Sequence, residues 1–131
     1  MNNNIISDLR FMHKAYNFTD RCLDMDAERK KQYLKFRSAF LQEELNELQL
    51  AIDNNNKEEI VDALIDISVV ALGTLDFFNV DINKAWDAVL KANLNKEPGI
   101  KPGRPNPYNL PDLIKPTYWT PPNHKHNTGD L

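Results

Sequence analysis

Apolar residues recur at helical spacing along most of the first three quarters of the chain. Ile5, Ile6, Leu9, Met12 and Tyr16 share one side of a predicted helix from about Asn4 to Tyr16. A second helix opens at Asp26, a side chain suited to an N-cap, and runs to about Asp53. Its apolar stripe is Leu34, Leu41, Leu45, Leu48 and Ile52. The polar stretch Asp53–Lys57 then turns the chain into a third helix, from about Glu58 to Phe78. There Ile60, Val61, Leu64, Ile65, Ile67, Val69, Val70, Leu72 and Leu75 surround the axis, and a helix apolar on every side is a buried one. A fourth helix follows Asn79-Val80, with Asp81 as N-cap, and ends near Leu94. No strand pattern and no repeat is present, so an all-α four-helix bundle is the expected fold. A chain of 131 residues has difficulty wrapping one helix completely. Part of the third helix is therefore expected to pack against a second copy.

The pattern changes after residue 96. All eight prolines lie between Pro98 and Pro122, and proline removes a backbone donor and fixes φ. The expected organisation is a helical domain over residues 1–96 and an extended proline-rich tail over 97–131. Tyr108, Leu110, Leu113, Ile114, Tyr118 and Trp119 give the tail more apolar surface than a disordered linker carries. It should lie on the domain or on a neighbouring subunit, with residues from His124 onward frayed.

Composition narrows the function classes. The net charge is −3, which argues against a nucleic-acid polymer as partner. No stretch is apolar enough to span a membrane, and the first residues lack a signal-peptide layout. The single cysteine, Cys22, has no internal disulfide partner and reads as a small core or boundary residue. A cytoplasmic protein is the expectation.

The third helix nevertheless carries Glu59, Asp62 and Asp66 within one narrow arc, at about 100° per residue. Glu43, Glu44 and Glu47 make a comparable arc on the second helix. A short connection sets the two helices antiparallel, so the arcs can face each other. Converging carboxylates repel and lose hydration. They escape by taking up protons, by pairing with cations, or by binding a metal. Arg37 and Lys57 are the nearby cations, too few for six acids. Oxygen ligands without His or Cys suit a hard ion, Mg²⁺ with Mn²⁺ able to substitute, and the absence of Glu-x-x-His disfavours iron. Acidic pairs at this spacing are common on solvated faces, so Glu43–Glu47 alone says little. The stripe on the third helix says more, because that helix has almost no other polar residue.

Glu43-Glu44-x-x-Glu47 followed by Glu59-x-x-Asp62 resembles the EExxE…ExxD signature of the all-α nucleoside triphosphate pyrophosphohydrolases. That superfamily includes MazG, dimeric dUTPases, dCTPase and phosphoribosyl-ATP pyrophosphohydrolase. The resemblance extends to Met12–Tyr16, Arg37, Gly73-Thr74 and the segment Val89–Lys96, and the tail from Gly103 to Pro122 resembles that of phage and bacterial single-domain MazG proteins. The gap between Glu47 and Glu59 is short for the family.

The resemblance implies a Mg²⁺-dependent enzyme that cleaves a (d)NTP to the monophosphate and pyrophosphate. It implies metal ligation by Glu44, Glu47, Glu59 and Asp62, with Glu43 as the base for water. Asn93 and Lys96 would bind phosphate or sugar, and Asp66 would be a further or outer-shell group. It also implies a homodimer or homotetramer, in which the tail helps to finish the nucleotide pocket. Phosphoribosyl-ATP or (p)ppGpp is the alternative substrate, and a helical oligomerisation module without catalysis is the alternative class. Arg37, Arg104 and Lys115 are weaker phosphate candidates, each expected to be a surface charge or the partner of an acid. His13 is expected at a boundary, with reach to a nucleotide as the alternative, and Trp86 and Trp119 in packing, with stacking on a base as the alternative for Trp119.

Overall fold

The computed structural model describes residues 4–131, which are mostly helical, with four α-helices and one very small sheet. They form two compact units. The first runs through Ile82 and takes in Thr128–Leu131; the second is Asn83–Asn127.

In the first unit, α1 spans Ile5–Ala15 and is capped by Asn4, whose side chain accepts from the amides of Ile6 and Ser7 at 3.1 Å. A short 3₁₀ turn, Arg21–Asp24, which the sequence pattern did not reveal, leads into α2, Ala27–Asp53. Asp26 caps α2 as expected, accepting from the Arg29 amide at 2.8 Å. The turn to α3, Lys57–Phe77, is three asparagines long. Asn55 takes a left-handed φ of 53°, and Asn56 accepts from the Glu59 amide at 3.3 Å. Asparagine suits both roles, because its short amide tolerates positive φ and competes for backbone hydrogen bonds. So short a turn sets α2 and α3 side by side, with Ala51 and Ala63 buried.

α1 is fixed to α3 by polar as well as apolar contacts. His13, expected at a boundary, is buried, and its Nδ1 lies 2.8 Å from Asp76 Oδ2. Arg10 Nε donates to the other Asp76 oxygen at 3.2 Å. An aromatic core closes the end of the unit. Tyr33 stacks on Phe77 at 3.9 Å, and Phe78 meets Phe77 edge-on at 5.2 Å around the fully buried Cys22. Each such ring pair adds roughly 0.5–1.5 kcal/mol beyond its buried area.

The end of the described chain is docked there, where fraying was expected. The Asp130 amide donates to Phe78 O at 2.7 Å, and Asn79 Nδ2 donates to the Asp130 carboxylate at 2.8 Å. Gly129 has φ +54°, and a Cβ there would collide with Phe78 O.

α3 is less enclosed than its apolar pattern predicts. Ala63, Val70, Gly73 and Phe77 are buried, but Val61 and Ile65 remain 64% and 58% exposed.

In the second unit, α4, which begins at Ile82 and ends at Leu94, leads into β1, Glu97–Pro98. β1 pairs antiparallel with β2, Leu113–Ile114, a correction to the expectation of no strand. Strands of two residues leave no alternation for a sequence pattern to reveal. Trp119 is anchored by its Nε1–H, which donates to Ala92 O at 2.6 Å. Trp86, expected in packing, is exposed.

Candidate functional site

Both acidic arcs lie on regular helix, so their levels follow from the turn that joins them. Glu44 lies ten residues before Asn54, and Asp66 lies ten residues after Asn56. On an antiparallel pair this puts Glu44 opposite Asp66. Glu47, one turn nearer the loop, is level with Ala63, between Asp62 and Asp66. Glu59 is seven residues from Asp66, about 10 Å along the axis.

Glu44 is the unusual member. It is only 7% exposed, and among the described residues its Oε2 is a buried polar side-chain atom without a hydrogen-bond partner. Burial, followed by the charges of Glu47, Asp66 and Glu43, pushes its carboxyl above the usual carboxylate range. The closeness of the Glu47 carboxyl to that of Glu44 acts in the same direction. Glu43, Glu47, Glu59 and Asp62 are exposed, and Asp66 is half-buried. The structure thus brings Glu43, Glu44, Glu47 and Asp66 into one electrostatic group. Glu59 and Asp62 are not among the charges acting on Glu44.

The local cation does not neutralise this group. Arg37, expected as a partner for the acids, donates to Thr74 Oγ1 and to Val70 O, both at 3.0 Å. Its guanidinium also lies 5.6 Å from the Phe40 ring centroid. Arg37 therefore ties α2 to α3 through neutral acceptors.

A buried carboxylate oxygen with no donor, crowded by like charges, is the circumstance a hard cation relieves. The donors are all oxygens, so the residues fit such an ion. As the side chains stand, no group of three or more His, Cys, Asp or Glu among the described residues is gathered closely enough to hold one.

Asn93 lies on α4 and Lys96 just beyond it, both in the second unit. Asn93 is exposed and Lys96 half-buried, with Lys96 Nζ 5.5 Å from the Trp119 ring centroid. Arg104 pairs with Asp112 at 2.7 Å, the acid partnership expected of it. Lys115 lies 4.6 Å from the Trp119 centroid. Pattern reading missed Asp76, the acid that holds His13 and Arg10, because it sits alone among apolar residues near the end of α3. No described helix is long and apolar enough to cross a membrane.

No curated protein and no solved structure matches the chain. The family model described as phosphoribosyl-ATP pyrophosphohydrolase matches residues 16–93, which is more than half of the chain and contains both acidic arcs. The family's chemistry is the release of pyrophosphate from a nucleotide-type substrate. The chain belongs to the phosphoribosyl-ATP pyrophosphohydrolase family, within the MazG-like all-α nucleoside triphosphate pyrophosphohydrolase superfamily.

Proposed function

We propose that the protein is a Mg²⁺-dependent nucleotide pyrophosphohydrolase that cleaves a (d)NTP between its α and β phosphates, releasing the monophosphate and pyrophosphate. The observation that carries this reading is Glu44, a buried acid with an unpartnered oxygen among three other carboxylates. Glu44, Glu47, Glu59 and Asp62 would hold the ion, with Asp66 as a further or outer-shell group. When bound, Mg²⁺ would polarise the phosphoryl group and make water a better nucleophile. Glu43, exposed beside this group, orients the attacking water and accepts its proton. Asn93 and Lys96 hydrogen-bond and neutralise phosphate oxygens.

The family match favours a second substrate, phosphoribosyl-ATP, whose cleavage is the same pyrophosphate release. We further propose a homodimer or homotetramer. The exposed apolar residues Val61 and Ile65 on α3, with Leu45 and Ile52 on α2, support it.

The test is pyrophosphate release across ribo- and deoxynucleoside triphosphates, ppGpp and phosphoribosyl-ATP, with Mg²⁺ and then with EDTA. Metal-dependent turnover of a triphosphate is expected. Turnover of phosphoribosyl-ATP alone would select the second substrate, and silence from folded protein would end the enzymatic reading.

A further inference from the structure

The second unit contains a cavity of about 770 Å³, within the roughly 300–1,000 Å³ usual for small-molecule sites. Asn93 and Lys96 line it from the end of α4, Lys101 and Arg104 from the loop after β1, and Asp112 and Lys115 from either side of β2. Four cations therefore face one carboxylate, in a chain whose net charge is −3. That carboxylate is already engaged. Asp112 Oδ1 accepts from Arg104 at 2.7 Å and from the Leu113 amide at 2.8 Å. Among the described residues, none of the ion pairs involves Lys96, Lys101 or Lys115.

Two of these lysines are held together. Lys96 Nζ and Lys115 Nζ lie 5.5 and 4.6 Å from the same Trp119 centroid. The two ammoniums are thus within about 10 Å of each other, where salt screens them incompletely. The indole they share is fixed by its bond to Ala92 O at 2.6 Å. The negative face of the ring attracts each cation, but it does not cancel their mutual repulsion. A multiply charged anion would.

We propose that this cavity receives the polyphosphate end of a nucleotide, with Lys101 and Lys115 as phosphate-binding residues beside Lys96, and Arg104 held ready by Asp112. The choice of a nucleotide polyphosphate rests on the pyrophosphohydrolase reading; the cation cluster does not. The family match ends at Asn93, so the rest of this lining comes from chain beyond the matched region.

The experiment is calorimetric titration of the whole chain with inorganic tripolyphosphate, without divalent metal, so that binding is read apart from hydrolysis. Binding that weakens with salt is expected. Lys101→Met combined with Lys115→Met keeps the side-chain stems and should weaken it about tenfold or more. Lys125→Met, which removes a lysine charge from an exposed position outside the cavity, should leave it unchanged. A triphosphate nucleotide should displace tripolyphosphate and the bare nucleoside should not; displacement by neither would assign the cavity to inorganic polyphosphate and overturn its nucleotide role. Should the double variant not fold, amide shifts of the unaltered protein give the answer. Perturbation by tripolyphosphate at residues 96–101 and 109–115 supports the assignment, and perturbation elsewhere refutes it. No binding, or equal weakening by Lys125→Met, also sinks it. Pyrophosphate release measured in parallel separates the two ideas: turnover without tripolyphosphate binding removes the cavity and keeps the enzyme, and binding without turnover does the reverse.

Discussion

Glu44 shows how one residue can be both a cost to the fold and the basis of its chemistry. Its carboxyl is buried, and its oxygen Oε2 has no donor. Glu44→Gln removes the charge while keeping the shape. The expected result is a higher melting temperature for metal-free protein, by several degrees, with turnover reduced about a hundredfold or more. Thermal melts in EDTA and a pyrophosphate assay check the two halves. A variant that keeps full turnover would remove Glu44 from the site. Cys22 carries the clearer pH signature. Burial first, and then the Asp130 charge, raise its thiol above the usual range. A raised folded-state value means that the protonated thiol is the form favoured by folding. Its contribution is whole below the unfolded thiol pKa, about 8.5, and is lost as pH rises through the folded value. The stability advantage of the wild type over Cys22→Ala should therefore shrink as pH rises above about 8.5, as urea midpoints at each pH will show.

At the scale of elements, the α2–α3 hairpin depends on a close approach at Gly73. A Cβ there would lie 3.2 Å from an Arg37 guanidinium nitrogen and 3.3 Å from His13 Nε2. Neither group yields freely. Arg37 is fixed by Thr74 and Val70, and His13 is buried against Asp76. Gly73→Ala gains up to about 1 kcal/mol of helix propensity but meets an overpacking cost of about 1–3 kcal/mol. A net loss of about 1 kcal/mol is expected in urea unfolding, and a stabilised variant would show that Arg37 moves aside. This element was partly legible in the sequence. The Asp26 cap, the asparagine turn and the helix limits followed from residue types at fixed spacing. The fates of Arg37 and His13 did not, because their partners lie 33 or more positions away. A cation read beside acids in sequence looks like their partner. Here the helix turns it toward Thr74 instead.

For the whole molecule, the apolar surface of α3 is the outstanding quantity. Val61 and Ile65 are more than half exposed in the single chain. Ile65→Asp should leave the chain folded and lower the mass in solution to about the 15.1 kDa of one copy. A desolvated charge at the centre of an apolar contact costs several kcal/mol. Sedimentation equilibrium of wild type and variant will decide. A wild type that is already monomeric would overturn the assembly.

The sequence by itself determined the helices, their order, the proline-rich character of the last quarter and the two acidic arcs. Those are local properties. Helical period, capping and proline geometry act over a few residues, and the acid motif is a spacing within two adjacent helices. Only the tertiary structure decided which acid is buried, that Asp66 rather than Glu59 stands level with Glu44, that residues 128–131 dock beside Phe78, and that Trp119 has both Lys96 and Lys115 at its ring. Burial and electrostatic neighbourhood depend on which surfaces meet. That is fixed by long-range packing, in which a few ångströms of axial offset change which carboxylate faces which.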